Sequence, residues 1–391
     1  CALPIYGSLR YDITDWLRAE VKGGADMYTN STETKLYGGS PLSNTGRYSM
    51  GKNTFIETNY SSMIVAQKDN LFGKIGGMAT LGGNLMKQEA SGISGSSGEL
   101  EVPNLFSLNN GQNNPSVGES YSSKKINSVY GMLQLNYDGY LFLEGTFRND
   151  WSSSLSPENR SFFYPSVNTS WVITDMLNKM GTSNLRWLSY GKVRASYAMV
   201  GNDLPPYQLY NTYSIGKDPL GNTTAGLGST LYDSSVKSEL IKSVELGADF
   251  RFFNNRLGFD FTWYKSNATR QLINLPMDPL SGFTSKKINA GNIQNKGIEL
   301  MVNGTIIEPV NQGFGWDVQL NYSKNKNTIE ELYEDVDIYA LGGFDNLQIL
   351  ANVGGEYGEI WGTTFSRVED ESSPYYGRKI LTADGLPTGN T

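Results

Sequence analysis

Along residues 298–306 every second position is apolar or glycine. Ile298, Leu300, Val302, Gly304 and Ile306 fall on one side of an extended chain, with Glu299, Asn303 and Thr305 on the other and Met301 as the exception. A repeat of two marks a strand with one apolar and one polar face. The pattern recurs. Leu17, Ala19, Val21 and Ala25 alternate with Arg18, Glu20, Lys22 and Asp26, and Leu141, Leu143 and Phe147 alternate with Glu144, Arg148 and Asp150. Leu246, Ala248 and Phe250 alternate with Glu245, Asp249 and Arg251, and Leu257, Phe259, Phe261 and Trp263 alternate with polar or small partners. The pattern predicts strands near 7–12, 16–29, 51–64, 73–85, 124–137, 140–152, 162–173, 187–201, 239–253, 256–270, 291–308 and 314–328, with a further one near 355–368.

The connections mostly alternate short and long. Segments 30–50, 86–123, 202–238, 271–290 and 329–354 are long, whereas "DG" at 138–139 and "NN" at 254–255 are tight-turn signals. The pair 153–161 and 174–186 fits this alternation least well. An antiparallel up-and-down order puts every long loop at one end. Strands longer than the ~9–11 residues that cross hydrocarbon when tilted then point to a transmembrane β-barrel. Aromatic residues near strand ends, Trp16, Tyr137, Tyr140, Trp151, Trp187, Phe252 and Trp316, suit interfacial girdles. A soluble all-β sandwich or surface adhesin also alternates, although its strands usually run to only about 5–6 residues.

Composition narrows the chemistry. Among 391 residues, 38% are apolar and 12% aromatic, and the 44 glycines favour strands and turns over helices. With one cysteine and no histidine, neither a disulfide, a Ser/His/Asp triad nor a Cys/His pair can form within the chain. A net charge of −7 argues against a nucleic-acid surface. No P-loop motif occurs, and the glycine-rich "GGMATLGG" at 76–83 reads as strand, its small residues allowing close approach of another backbone. No enzyme chemistry and no cofactor is implied. Glu330, Glu331, Glu334, Asp335 and Asp337 offer oxygen ligands for calcium without EF-hand spacing, and a solvated loop is the simpler reading, as it is for Glu369, Asp370 and Glu371. Lys324 and Lys326 read as the polar upper end of a strand. The N-terminus shows no signal-peptide pattern, and Cys1 suits either a lipidated first residue or a cut end. Both termini suggest a fragment.

Several segments resemble one family. "NAGNIQNKGIELMVNGTI" at 289–306, followed by "FGWDVQLNYSKNKNTIEEL" at 314–332, is similar to a hairpin of the SusC/RagA-type TonB-dependent outer-membrane transporters of Bacteroidetes. "YDITDWLRAEVKGGADMYT", "FFYPSVNTSWVITD" and "KVRASYAMVGND" resemble earlier strands of the same barrel, in the same order. The resemblance implies an all-β, antiparallel up-and-down transmembrane β-barrel of about 22 strands. About twelve or thirteen of these fall within residues 1–391, read as one barrel domain without its plug. It also implies import of glycans or peptides delivered by a SusD-like surface lipoprotein and energised through the TonB-ExbB-ExbD complex, with outer-membrane lipid around the wall. A passive porin is the competing membrane reading.

Two sets of candidate site residues follow. Arg18, Glu20, Glu144, Arg148, Glu245, Asp249, Arg251 and Glu299, from the polar faces, are expected to line the lumen. Tyr207, Tyr210 and Tyr213 on loop 202–238, together with Trp151, are candidates for contact with substrate or partner, because aromatic faces stack on sugar rings and Tyr adds a hydrogen-bonding tip.

Overall fold

The computed structural model describes residues 2–181, 186–309, 313–333 and 336–390. One antiparallel meander dominates. Its strands are β1 (Ala2–Thr14), β2 (Leu17–Tyr37), β3 (Gly46–Phe72), β4 (Ile75–Glu99), β5 (Ser116–Tyr137) and β6 (Leu141–Ser152). They continue through β7 (Ser161–Val172), β8 (Leu188–Asn202), β9 (Glu239–Phe252), β10 (Leu257–Pro276), β11 (Ser285–Ile307) and β12 (Trp316–Glu331). Each strand pairs with its neighbours in chain order. Among the described residues β1 pairs only with β2, and β12 only with β11, so the sheet has two free edges.

This order puts the hairpin ends near 15–16, 73–74, 138–140, 173–187, 253–256 and 308–315 at one end, called the turn end here. All the expected long loops leave from the other. The chain at 173–187 carries a short helix, Ile173–Lys179, whose Lys179 holds Asp138 in the neighbouring turn at 2.7 Å. Lys74 reaches the same carboxylate at 2.8 Å, and these two cations hold the Asp138 carboxyl below its ordinary range.

The turns differ in detail from the expected two-residue forms. Phe252 pairs with Leu257, so "NN" sits inside a four-residue connection in which Phe253, Asn254 and Asn255 all have positive φ. Tyr137 pairs with Leu141, with Asp138 and Gly139 left-handed between them. Asn, Asp and Gly are the residues that tolerate this backbone.

The larger difference lies at the loop end. Segments 30–37, 46–50, 86–99 and 116–123, expected as loop, are strand. They continue the sheet well beyond what a bilayer needs, and their Ser, Thr, Asn and Gly content removes the alternation because both faces there meet water. Loop 203–238 contains a small hairpin, Tyr213–Lys217 with Thr223–Leu227, and a two-residue strand, Thr230–Leu231, that adds in parallel to the end of β11. The strand expected near 355–368 is mostly Tyr357–Gly362, the third strand of a small sheet after Ile338–Phe344 and Leu347–Asn352.

Among the described residues the sheet has no central apolar core. Its buried apolar residues form small clusters under the loops: Leu155, Leu204 and Val236 in one, and Ile329, Leu332 and Ala351 in another. Large apolar side chains on the strands, such as Leu9, Leu81, Leu133, Leu246 and Leu320, are exposed.

Candidate functional site

The register sorts the wall into two faces. Val193, Ala248, Phe261, Leu300 and Tyr322 lie abreast in one lateral row, and Leu141 and Trp171 continue it across β6 and β7. The adjacent row, Arg194, Gly247, Thr262, Glu299 and Ser323, points the other way. All eight residues expected to line a lumen share this second, polar face: Arg18 and Glu20 on β2, Glu144 and Arg148 on β6, Glu245, Asp249 and Arg251 on β9, and Glu299 on β11.

Polar-face side chains pair with one another. Arg148 Nε donates to Asp150 at 2.8 Å and its Nη2 to Ser128 at 2.7 Å, while the Tyr164 hydroxyl donates to the same Asp150. Asn168 donates to Glu144 at 3.0 Å, Lys22 meets Glu20 at 3.0 Å, and Arg251 meets Asp249 at 3.3 Å. Among the described residues, two side chains reach across a strand. Arg194 on β8 crosses β9 to reach Asp260 at 2.9 Å and Thr262 at 2.6 Å on β10. Tyr264 on β10 crosses β11 to Asn325 on β12 at 3.1 Å. Each crossing passes over a glycine. A Cβ at Gly247 would lie 2.3 Å from Arg194 Nε, and one at Gly297 2.6 Å from the Tyr264 hydroxyl. In "GGMATLGG", part of β4, a similar role falls to Gly82, over which the Tyr130 ring lies, while at Gly76 a backbone approaches closely as expected: a Cβ there would lie 2.6 Å from the Asp69 carbonyl oxygen. Between the pairs a cleft is lined by Gln134, Glu144, Asn168, Lys192, Arg194 and Glu245.

The other face carries the rings of the turn end. Trp187 stacks on Phe252 at 5.8 Å and Tyr137 meets Tyr140 edge-on at 5.5 Å, both at the turn end, where Trp16 and Trp316 are also exposed. Trp151 belongs to this apolar face, with Phe147 and Phe163 stacked below it. The structure therefore separates it from the candidate tyrosines: strand alternation turns residue 151 away from Arg148 and Asp150.

Tyr207, Tyr210 and Tyr213 stand over the loop end. Their loop is seated by Leu204 and Val236 packing on Leu155, and by Asp203, which accepts from Lys124, Ser152 and Ser154. The Tyr207 hydroxyl accepts the Ser123 amide at 3.2 Å, which ties that ring to β5, while Tyr210 and Tyr213 are exposed and carry no such tie. Lys287, half-buried beneath the same loop, donates to Gln208 at 2.6 Å, and burial lowers its pKa. Neither Asp203 nor Lys124 carries a sequence signal, since the pair is separated by 79 residues and forms only when the loop folds back. Glu99 closes the neighbouring loop. It accepts from Ser43 at 2.6 Å and Arg47 at 2.8 Å, which with Thr45 hold its carboxyl down at about 2. Of the acidic cluster considered for calcium, Glu334 and Asp335 lie outside the described residues, as does Cys1.

Residues 6–382 match the family described as TonB dependent receptor-like, beta-barrel. This chain belongs to that family. Among similar proteins is TonB-dependent receptor P3 of Formosa agariphila, 29% identical over 270 residues, covering 67% of this chain and 26% of that protein. TonB-dependent receptor SusC of Bacteroides thetaiotaomicron is 29% identical over 230 residues, covering 55% of this chain and 22% of SusC. The solved RagAB peptide transporter superposes on 100% of this chain and 43% of its own, with a TM-score of 0.81 at 20% identity, a likeness of fold. The chain thus spans about a quarter of the length of the curated relatives it matches. It is part of the wall of an outer-membrane TonB-dependent receptor barrel of the SusC/RagA type, in a family of receptors and transporters rather than enzymes.

Proposed function

We propose that residues 1–391 serve, as one barrel domain, in an importer that takes oligosaccharides from a SusD-like surface lipoprotein and is driven through TonB-ExbB-ExbD. The observation that carries this reading is the division of the wall into an exposed apolar face and an Arg-, Asp- and Glu-bearing polar face, with the two longest connections between wall strands, 100–115 and 203–238, at one end. The apolar face meets lipid, because hydrocarbon rejects charge by ~2–4 kcal/mol for Arg or Lys at the midplane. The polar face lines the lumen, where Arg18, Glu20, Glu144, Arg148, Glu245, Asp249, Arg251 and Glu299 meet plug or cargo. Side chains that reach across an intervening strand, as Arg194 and Tyr264 do, suit the inner side of a curved wall. Tyr210 and Tyr213 are the contact candidates at the mouth, with Tyr207 bracing their loop.

The test is uptake of a fluorescent oligosaccharide by cells expressing the full-length receptor. Uptake should stop when the proton gradient is collapsed, and Tyr210→Ala with Tyr213→Ala should weaken capture without changing the amount of folded receptor. Uptake that continues at the same rate after uncoupling would establish a passive porin instead. Uptake of labelled peptides with no uptake of oligosaccharides would move the cargo to the other class.

A further inference from the structure

On the apolar face of β9–β12 each strand's membrane-height apolar run is followed upward by lysine. Lys242 on β9, Lys265 on β10, Lys296 on β11, and Lys324 and Lys326 on β12 all occupy apolar-face positions, with Val244, Trp263, Ile298 and Tyr322 as the last apolar residues beneath them. Counted from the turn-end pairs Phe252–Leu257 and Ile307–Trp316, the five stand eight to eleven residues up their strands. At ~3.3 Å per residue and a tilt of ~40°, that is about 20–28 Å above the turn end, the upper margin of an apolar band ~25 Å tall.

Lysine stems commonly extend to such a margin to bring their ammonium groups into water. That habit accounts for a lysine on a strand, not for the arrangement here. Lys265 is directly opposite Lys296, and Lys296 directly opposite Lys326. Opposed side chains on one face start ~5 Å apart, and like charges so placed destabilise the pair. No apolar-face position of β8–β12 level with these lysines carries a carboxylate, and none of the five lysine side chains has an ion pair or hydrogen bond among the described residues. The first half of the wall differs. Lys87 and Lys125 are likewise opposed, but Glu89 on the same face meets Lys87 at 2.8 Å.

We propose that this strip of lysines docks the phosphate groups of the phosphorylated glycolipid that forms the outer leaflet. The proposal rests on the lipid-facing assignment made above. An anion at the strip offsets the repulsion among three abreast ammonium groups, and the apolar residues below lie where its acyl chains would run. Cationic side chains at a membrane surface attract anionic headgroups with an energy that falls with added salt.

The test uses the full-length receptor purified in non-ionic detergent, with diphosphoryl lipid A as the probe and lipid retention read by native mass spectrometry. Wild type should retain it, with retention falling as salt rises. The K265Q/K296Q/K326Q receptor should retain at least about tenfold less. The corresponding Lys→Arg receptor should behave as wild type, as should K87Q/K125Q. Equal retention by wild type and the triple Gln variant, or equal retention of dephosphorylated lipid A, would overturn the proposal. Equal retention of phosphatidylglycerol would overturn its assignment to glycolipid. Heat-dependent gel mobility identifies folded barrels, and only folded variants are compared. If the lipid-facing assignment itself fails, Leu246→Arg will insert as readily as Glu245→Arg, a result independent of lipid A.

Discussion

Leu246→Arg sets the lipid-facing assignment against an energy. Leu246 is six residues above Phe252, the last paired residue at the turn end of β9. Six residues at ~3.3 Å, tilted by ~40°, put it about 15 Å up, near the middle of an apolar band ~25 Å tall. Its neighbours on that face are Ala195 and Trp263, neither of which offers a counter-charge. Arginine there should cost about 2–4 kcal/mol of folding stability. Val244→Arg, two residues higher and next to Lys265, is about 5 Å closer to the interface and should cost only about 0–1 kcal/mol. Glu245→Arg lies between them on the opposite face and should change stability by about 0.5 kcal/mol or less, as at a wet surface. The assay is guanidinium unfolding of the full-length receptor folded into lipid vesicles, followed by tryptophan fluorescence. If Leu246→Arg costs no more than Glu245→Arg, the faces are misassigned. If Val244→Arg costs as much as Leu246→Arg, the placement of the band along the strand is wrong.

Three further outcomes follow from the geometry. Gly247→Leu puts a side chain where Arg194 crosses β9 toward Asp260, so it should cost about 1–3 kcal/mol through overpacking in the same unfolding assay, whereas Gly145→Ala, whose added Cβ meets nothing within 4 Å, should cost less. Glu99 is held down at about 2, so the clasp it makes with Ser43 and Arg47 is complete above the ordinary carboxylate value and is lost as pH falls from about 4.5 toward 2; hydrogen exchange of residues 97–111 should rise over that window, and Glu99→Gln should remove the pH dependence. Leu204→Ala empties a fully buried site under loop 203–238 and should lower the free energy of local opening by about 2–5 kcal/mol, read as faster exchange across that loop with β9–β12 unchanged.

The wall itself was legible because lipid on one side and a polar interior on the other force strict alternation. Each of the twelve wall strands overlaps a segment whose apolar residues recur at every second position, and the turn ends were marked by Asn, Asp and Gly. The legibility stops where the bilayer stops. In 86–99 and 116–123 both faces are wet, so residues such as Ser91, Ser94, Ser120 and Ser122 carry no face information, although the hydrogen-bond ladder between β4 and β5 continues through them. The loop seats were invisible for another reason. Asp203 finds Lys124 and Ser152, and Glu99 finds Ser43 and Arg47, only through long-range closure, which no local pattern encodes. Trp151 shows the limit of reasoning by residue type alone. Its ring suggested ligand contact, while its parity with Phe147 assigns it to the apolar face.

The central claim is that one face of this wall meets lipid and the other lines the lumen, and site-directed spin labelling along 244–252 tests it most directly. Single cysteines introduced at each position of a Cys1→Ser full-length receptor, labelled and reconstituted in lipid vesicles, are compared for relaxation by oxygen, which partitions into lipid, and by a water-soluble nickel chelate. The account predicts a period of two, with oxygen dominating at positions 246, 248 and 250 and nickel at 245, 249 and 251. Equal accessibility at successive positions, or the same alternation in the opposite phase, would contradict it.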